Sequence, residues 1–159
     1  MSDSHPDAIP GAVSGSALLA TGVRIHYWTA GEGERTAVLL HGWPQTAWQW
    51  RQVVPLLVEA GYRVMAPDVR GAGHSSWPRL DHGVPADLRG EGLPRAGYDK
   101  WSIAEDIHLL VREELGLTEP VLVVGHDIGS MIATAYALRY REDVRALCVG
   151  EAPLPGTDV

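Results

Sequence analysis

The sequence predicts an α/β fold: a mixed, mostly parallel sheet with helices on both faces. Three observations predict it. Short apolar runs, several rich in valine, suit strands buried on both faces. Between the later runs lie segments with apolar residues at helical spacing. Their order is strand, strand, strand, helix, strand, helix, strand, helix, strand over residues 16–150.

The first fifteen residues are small and polar, with Pro6, Pro10 and Gly11, and read as a flexible tail. Ala17–Ala20 and Val23–Ala30 alternate as two strands split by Thr21-Gly22. In the second, Val23, Ile25 and Tyr27 share one face, with Arg24, His26 and Trp28 on the other. Gly31-Glu32-Gly33-Glu34 is a turn, and Ala37–Leu40 a short, wholly apolar third strand. Ala47–Ala60 is a helix closed by Gly61, with Pro55 set to break or kink it. Tyr62–Ala66 is the fourth strand.

Residues 78–99 have no apolar period and read as a loop insertion, either a flap or a disordered surface segment. Ser102-Ile103-Ala104-Glu105 has the form of a capping box. Ile103, Ile107, Leu110, Val111 and Leu115 then form a helical stripe that Gly116 ends. The fifth strand begins at Val121. It runs into a helix with Met131, Ile132, Ala135 and Leu138 on one face. Val144–Val149 is the sixth strand.

The chain has 159 residues, is 45% hydrophobic and carries a formal net charge of -7. That length suits one domain with a real core. The acidic balance and the lack of a basic cluster argue against nucleic acid. The single cysteine, Cys148, lies in an apolar run and reads as a buried thiol, so no disulfide framework exists. The seven histidines lack metal-ligand spacing, and no cofactor is expected. The N-terminus lacks the regions of a signal peptide, and no apolar run reaches membrane-spanning length. A cytoplasmic protein without membrane association is expected.

The chemistry centres on Gly125-His126-Asp127-Ile128-Gly129. Small residues flank Asp127 at two positions on either side, between a strand and a helix. Such a turn holds its central side chain at the strand's C-terminal end, beside the helix N-terminus. An Asp capping the helix after a glycine turn would give the same pentapeptide. The pentapeptide resembles the nucleophile elbow of α/β-hydrolase fold enzymes, with Asp where esterases carry Ser. Asp there looks like the epoxide hydrolases and the haloalkane and haloacetate dehalogenases. A carboxylate nucleophile suits attack on saturated carbon, giving an alkyl-enzyme ester.

Two further stretches carry the resemblance. His41-Gly42-Trp43-Pro44 resembles the family's His-Gly-x-Pro loop, in which the residue after glycine donates its N–H to the oxyanion hole and the proline is usually cis. The likeness implies that Trp43 N–H and Ile128 N–H face one site. Trp at position 43, rather than Asn, leans towards epoxide hydrolases and away from haloalkane dehalogenases. His41 reads as a hydrogen-bonded structural residue, and the stretch alone is also an ordinary turn. Asp68-Val69-Arg70-Gly71-Ala72-Gly73-His74-Ser75 resembles the family's Asp-x-Arg-Gly-x-Gly-x-Ser loop, in which Asp and Arg brace the elbow. Gly125, His126 and Gly129 are likewise assigned support, not chemistry.

The resemblance implies a catalytic acid and histidine after the nucleophile, and this sequence has no histidine after Asp127. Residues 16–159 are therefore expected to be a partial α/β-hydrolase domain that stops before the cap. The implied function is an epoxide hydrolase-like hydrolase acting on a small-molecule epoxide or organohalide. The chain itself is expected to be a fragment without full activity. A dehalogenase, or a non-catalytic truncated domain, are the alternatives. Self-association through an exposed sheet edge at Val144–Val149 is expected.

Overall fold

The computed structural model describes residues 8–77 and 97–152. Six strands form one sheet: β1 (Val13–Leu18), β2 (Arg24–Ala30), β3 (Arg35–Leu40), β4 (Tyr62–Pro67), β5 (Val121–His126) and β6 (Val144–Gly150). Their order is β1-β2-β4-β3-β5-β6. β1 pairs antiparallel with β2, and β2 antiparallel with β4. β3 pairs parallel with β4 and β5, and β5 parallel with β6. This is the predicted mixed sheet with a parallel centre.

Both faces are covered, and the strand composition shows why. β3 is apolar from Ala37 to Leu40 because neither face meets water. Val38 and Leu40 join one core with Ile25, Met65, Ile107, Leu110, Ile132 and Tyr136. Ala37 and Leu39 join the other with Trp28, Trp50, Val54 and Val64. In β2, Ile25 and Trp28 fall in different cores, as the predicted alternation requires.

The N-terminal boundary differs from prediction. β1 begins at Val13, and Ile9 is fully buried in the second core. Residues 8–15 therefore belong to the fold: Ile9 joins the second core with Trp28 and Leu39, while Val13 is exposed on β1. Residues 1–7 of the expected tail lie outside the described residues. So do residues 78–96 of the expected insertion.

The helix predicted over 47–60 is divided. Ala47–Gln52 is a 3-10 helix and α1 spans Val53–Glu59. Pro55 stands in the first turn of α1, where its missing N–H costs nothing. The next helix, α2 (Lys100–Leu109), is capped by Asp99 and not by Ser102. Asp99 accepts the Ser102 N–H at 3.0 Å and the Ser102 hydroxyl at 2.6 Å. Asp and Ser cap about equally well, and Asp99, three residues upstream, lets the helix start one turn earlier. A π turn follows over Leu110–Glu114, and Gly116 closes it at φ 61.

In α3 (Ile128–Arg139) the buried stripe is Gly129, Ile132, Ala133 and Tyr136, and Leu138 is 67% exposed. Of the predicted face, Ile132 and Ala135 are buried and Met131 and Leu138 are not; Ser130, Ala133 and Tyr136 complete the buried side. Cys148 is exposed, contrary to expectation. β6 is a sheet edge, and only Val144 and Val149 pack against the core. An apolar run at an edge need not be a buried one. Among the described residues, no helix is long and apolar enough to cross a membrane.

Candidate active site

The site is built where β3 and β5, neighbours in the sheet, end side by side. The chain leaves β5 through Asp127, whose φ is 53 and ψ is -123. A non-glycine residue held there costs about 1–3 kcal/mol, so surrounding structure must enforce it. Gly125 and Gly129 do so by lacking side chains. A Cβ on Gly125 would lie 2.3 Å from the Gly129 carbonyl oxygen. One on Gly129 would lie 2.2 Å from the Leu40 carbonyl oxygen and 2.7 Å from that of His41. The small-x-Asp-x-small spacing is therefore a packing requirement between backbones. Gly129→Ala is expected to cost about 3 kcal/mol, the upper end of overpacking, because backbone cannot turn aside. Urea unfolding measures it; an unchanged midpoint contradicts this account.

Ser130 ties the turn to β6. Its Oγ lies 2.8 Å from the Gly125 carbonyl oxygen and 2.6 Å from that of Gly150, and it accepts the Gly150 N–H at 3.0 Å. Asp127 N–H donates to the Gly150 carbonyl at 3.0 Å.

The Asp127 side chain makes no capping bond to α3. It turns instead towards the end of β3, where Trp43 N–H donates to Oδ2 at 2.8 Å. The hydrogen bonds from the Trp43 and Ile128 N–H groups hold the carboxyl below its ordinary value of 3.8. The group is therefore an anion at neutral pH, with the Trp43 N–H fixed on Oδ2. Gly42 permits the approach, since a Cβ there would lie 2.8 Å from Asp127 Cβ. The Trp43–Pro44 bond is cis. Gly42 N–H donates to Gln49 Oε1 at 2.9 Å, which anchors the loop to the 3-10 helix.

His41 is buried beneath this loop. Its Nε2 accepts the Val69 N–H at 3.1 Å, so Nδ1 carries the proton and donates to the Gly42 carbonyl at 2.9 Å. Burial lowers its pKa, and both ring nitrogens are occupied.

Asp68 and Arg70 lie under the adjoining loop. Burial alone would raise the Asp68 pKa. Hydrogen bonds from His26 and from the Ala47 and His74 N–H groups outweigh it and hold the carboxyl low. They measure 3.0, 2.8 and 3.1 Å. Arg70 donates Nε and Nη2 to the two oxygens of Asp106 at 2.5 and 2.6 Å. It also donates to the Ser102 carbonyl at 3.1 Å and to the Gly97 carbonyl at 2.8 Å. Asp68 thus links the loop after β4 to the 3-10 helix, and Arg70 links it to α2.

A cleft of about 450 Å³ is lined by Trp43 and Ile128, the residues whose N–H groups act on Asp127, and its size suits a small organic ligand. Trp43, Ala72, Trp77, Ile103 and Ile128 give it apolar walls, and Tyr98 and Lys100 also line it. Trp77, Tyr98 and Lys100 are absent from the residues singled out in the sequence. Lys100 could have been found there, because it is the sole lysine and precedes the Ser102 stripe. Among the described residues, no group of three or more metal-ligating side chains converges.

The profile of the alpha/beta hydrolase fold family matches residues 37–157. The chain is 39% identical over 131 residues to the soluble epoxide hydrolase of Corynebacterium sp. (strain C12), covering 82% of this chain and 39% of that protein. It is 34% identical over 145 residues to epoxide hydrolase A of Mycobacterium tuberculosis, covering 87% and 38%. Among solved structures, an epoxide hydrolase from an endophytic Streptomyces superposes with a TM-score of 0.73 at 34% identity, covering 88% of this chain and 37% of that one. The chain therefore spans about two fifths of the length of these relatives. With the family profile matched over most of its length, and with a sheet that superposes on such an enzyme, the chain belongs to the α/β-hydrolase fold family.

Proposed function

We propose that this chain carries the nucleophilic half of an epoxide hydrolase, with Asp127 forming an alkyl-enzyme ester. One observation carries the reading: the Trp43 and Ile128 N–H groups both face the Asp127 carboxylate. The names of its relatives agree with it.

The step follows from those contacts. Trp43 holds Oδ2, which leaves Oδ1 for attack on an epoxide carbon in the cleft. The new C–O bond forms as the epoxide C–O bond breaks. The electron pair stays on the departing oxygen, which takes a proton from water. Oδ2 is then the ester carbonyl. When water adds at Cγ the oxyanion develops on Oδ2, where the Trp43 N–H is already in place and needs no reorganisation, with the Ile128 N–H beside it as the proposed second donor. Collapse breaks the ester C–O bond, releases the diol and restores the carboxylate.

Hydrolysis of the ester needs a base; His26, His41 and His108 are held by other groups, His74 packs edge-on against the His26 ring, and His126 Nδ1 is buried without a partner. His41 has both nitrogens bonded. His26 pairs with Asp68 at 3.0 Å and His108 with Asp143 at 2.9 Å. The Nδ1 of His126 is buried against Gly42, away from water. The 159-residue chain is therefore expected to form the ester and release little diol. A positioned base is worth about two to four orders of magnitude. Diol release from a reactive terminal epoxide, counted per mole of chain over a long incubation, should stay below one equivalent. Several equivalents, abolished by Asp127→Asn, would mean that a residue of this chain acts as the base.

A further inference from the structure

The outer edge of β6 has no part in the site. Arg145, Ala146, Leu147 and Cys148 are all exposed there, whereas β5 alternates between buried and half-buried residues. Gly150 turns its backbone towards β5: its N–H donates to Ser130 Oγ and its carbonyl accepts the Asp127 N–H, both at 3.0 Å. Backbone groups alternate along a strand, so Leu147 and Val149 point theirs at the open edge. The register shift of β6 lies at its start, against Val121 and Leu122, and leaves residues 146–150 regular. Edge strands are commonly blunted by lysine, proline or an inward-pointing charge. Residues 146–150 carry none of these.

We propose that two copies of this chain join edge to edge, β6 pairing antiparallel with β6 about a two-fold axis centred on Cys148. Such a contact is self-complementary, and its bonds form only where edge-facing residues oppose edge-facing residues. The centre at Cys148 sets Leu147 against Val149 twice, on the face whose core Val149 joins. It also brings Arg145 of each copy alongside Glu151 of the other, at both ends of the pair. Among the described residues, no ion pair uses Arg145 or Glu151. The neighbouring registers are worse. A centre at Leu147 sets Arg145 against Val149 and Glu151 towards Asp143, a like charge. A centre at Val149 sets Leu147 against Glu151. The formal net charge of -7 opposes association, so the two opposite-charge pairs decide between registers. One pair of strands is a small contact, and interfaces under roughly 1,200 Å² are weak, so the dimer should depend on concentration.

Sedimentation equilibrium of the full chain should show a monomer–dimer equilibrium. Leu147→Pro should abolish it, because proline lacks the edge-facing N–H and is tolerated where that group faces out. Leu147→Lys, which leaves the backbone intact, should weaken the dimer about tenfold or more. Arg145→Glu should weaken it as well, and adding Glu151→Arg should restore it. Oxidised glutathione then reads the register. Two Cys148 thiols form one disulfide, and glutathione disulfide takes up the two electrons and two protons as two thiols. Residues directly opposed in a non-hydrogen-bonded pair lie about 4.5 Å apart at Cα, within disulfide reach. With Leu147→Cys in a Cys148→Ala background, the two cysteines stand diagonally, about 7–8 Å apart, and should link far more slowly. A chain that stays monomeric up to about 1 mM overturns the proposal. So does a dimer indifferent to both Leu147 variants, or a cysteine at position 147 that links as fast as Cys148.

Discussion

Asp106→Ala is expected to lower folding stability by about 3–5 kcal/mol, the cost of leaving one member of a buried ion pair without its partner. The Arg70 and Asp106 side chains are both 0% exposed. Arg70 meets both carboxylate oxygens, and Thr21 adds its hydroxyl to Oδ1 at 2.9 Å. Removing the carboxylate strands a guanidinium and a hydroxyl where water cannot replace it. Urea denaturation measures the loss. A paired replacement, Arg70→Met with Asp106→Leu, should recover much of it, since apolar groups of similar volume often match a buried pair. A single-variant loss below about 1 kcal/mol would show that the pair is not what joins the loop after β4 to α2.

Asp127→Asn is expected to slow ester formation by roughly three orders of magnitude or more, as loss of a nucleophile does. The variant keeps the donors and the cleft but replaces the attacking anion with a neutral amide. Its pH dependence follows from the two N–H bonds that lower the Asp127 pKa. Only the carboxylate attacks. Reactivity should therefore be flat from neutral pH through the mildly acid range, and should fall only below 3.8, the ordinary value. Single-turnover mass spectrometry across pH reads this. A decline centred near pH 6 would indicate an imidazole as the reacting group.

Much of the fold was legible because its signals are local. The last five strands lie within about two residues of the expected runs, whereas β1 begins four residues before its expected start, in a stretch of serine and glycine with no apolar run. The elbow was legible for a steric reason: Gly125 and Gly129 meet backbone where no Cβ fits. The misses are tertiary. Ile9 stands outside any periodic run, and its burial depends on partners distant in the sequence, among them Trp28, Leu39 and Trp50. Cys148 belongs to an apolar run whose exposure depends on its place at the sheet edge. Ser102 resembled a cap, but Asp99 accepts its N–H and caps α2 one turn earlier. Trp43 and Asp127, far apart in the sequence, meet through a hydrogen bond that no local pattern shows. The cleft wall, with Trp77, Tyr98 and Lys100, assembles from separate segments and leaves no periodic trace.

The central claim is that Asp127 attacks carbon through the oxygen that Trp43 leaves free. Incubating the chain with a reactive epoxide, quenching quickly and mapping the adduct by peptide mass spectrometry tests it most directly. The account predicts one adduct, on the peptide containing Asp127, as an ester that mild base removes. An adduct confined to a histidine, to Cys148 or to Lys100, with Asp127 unmodified, would contradict it.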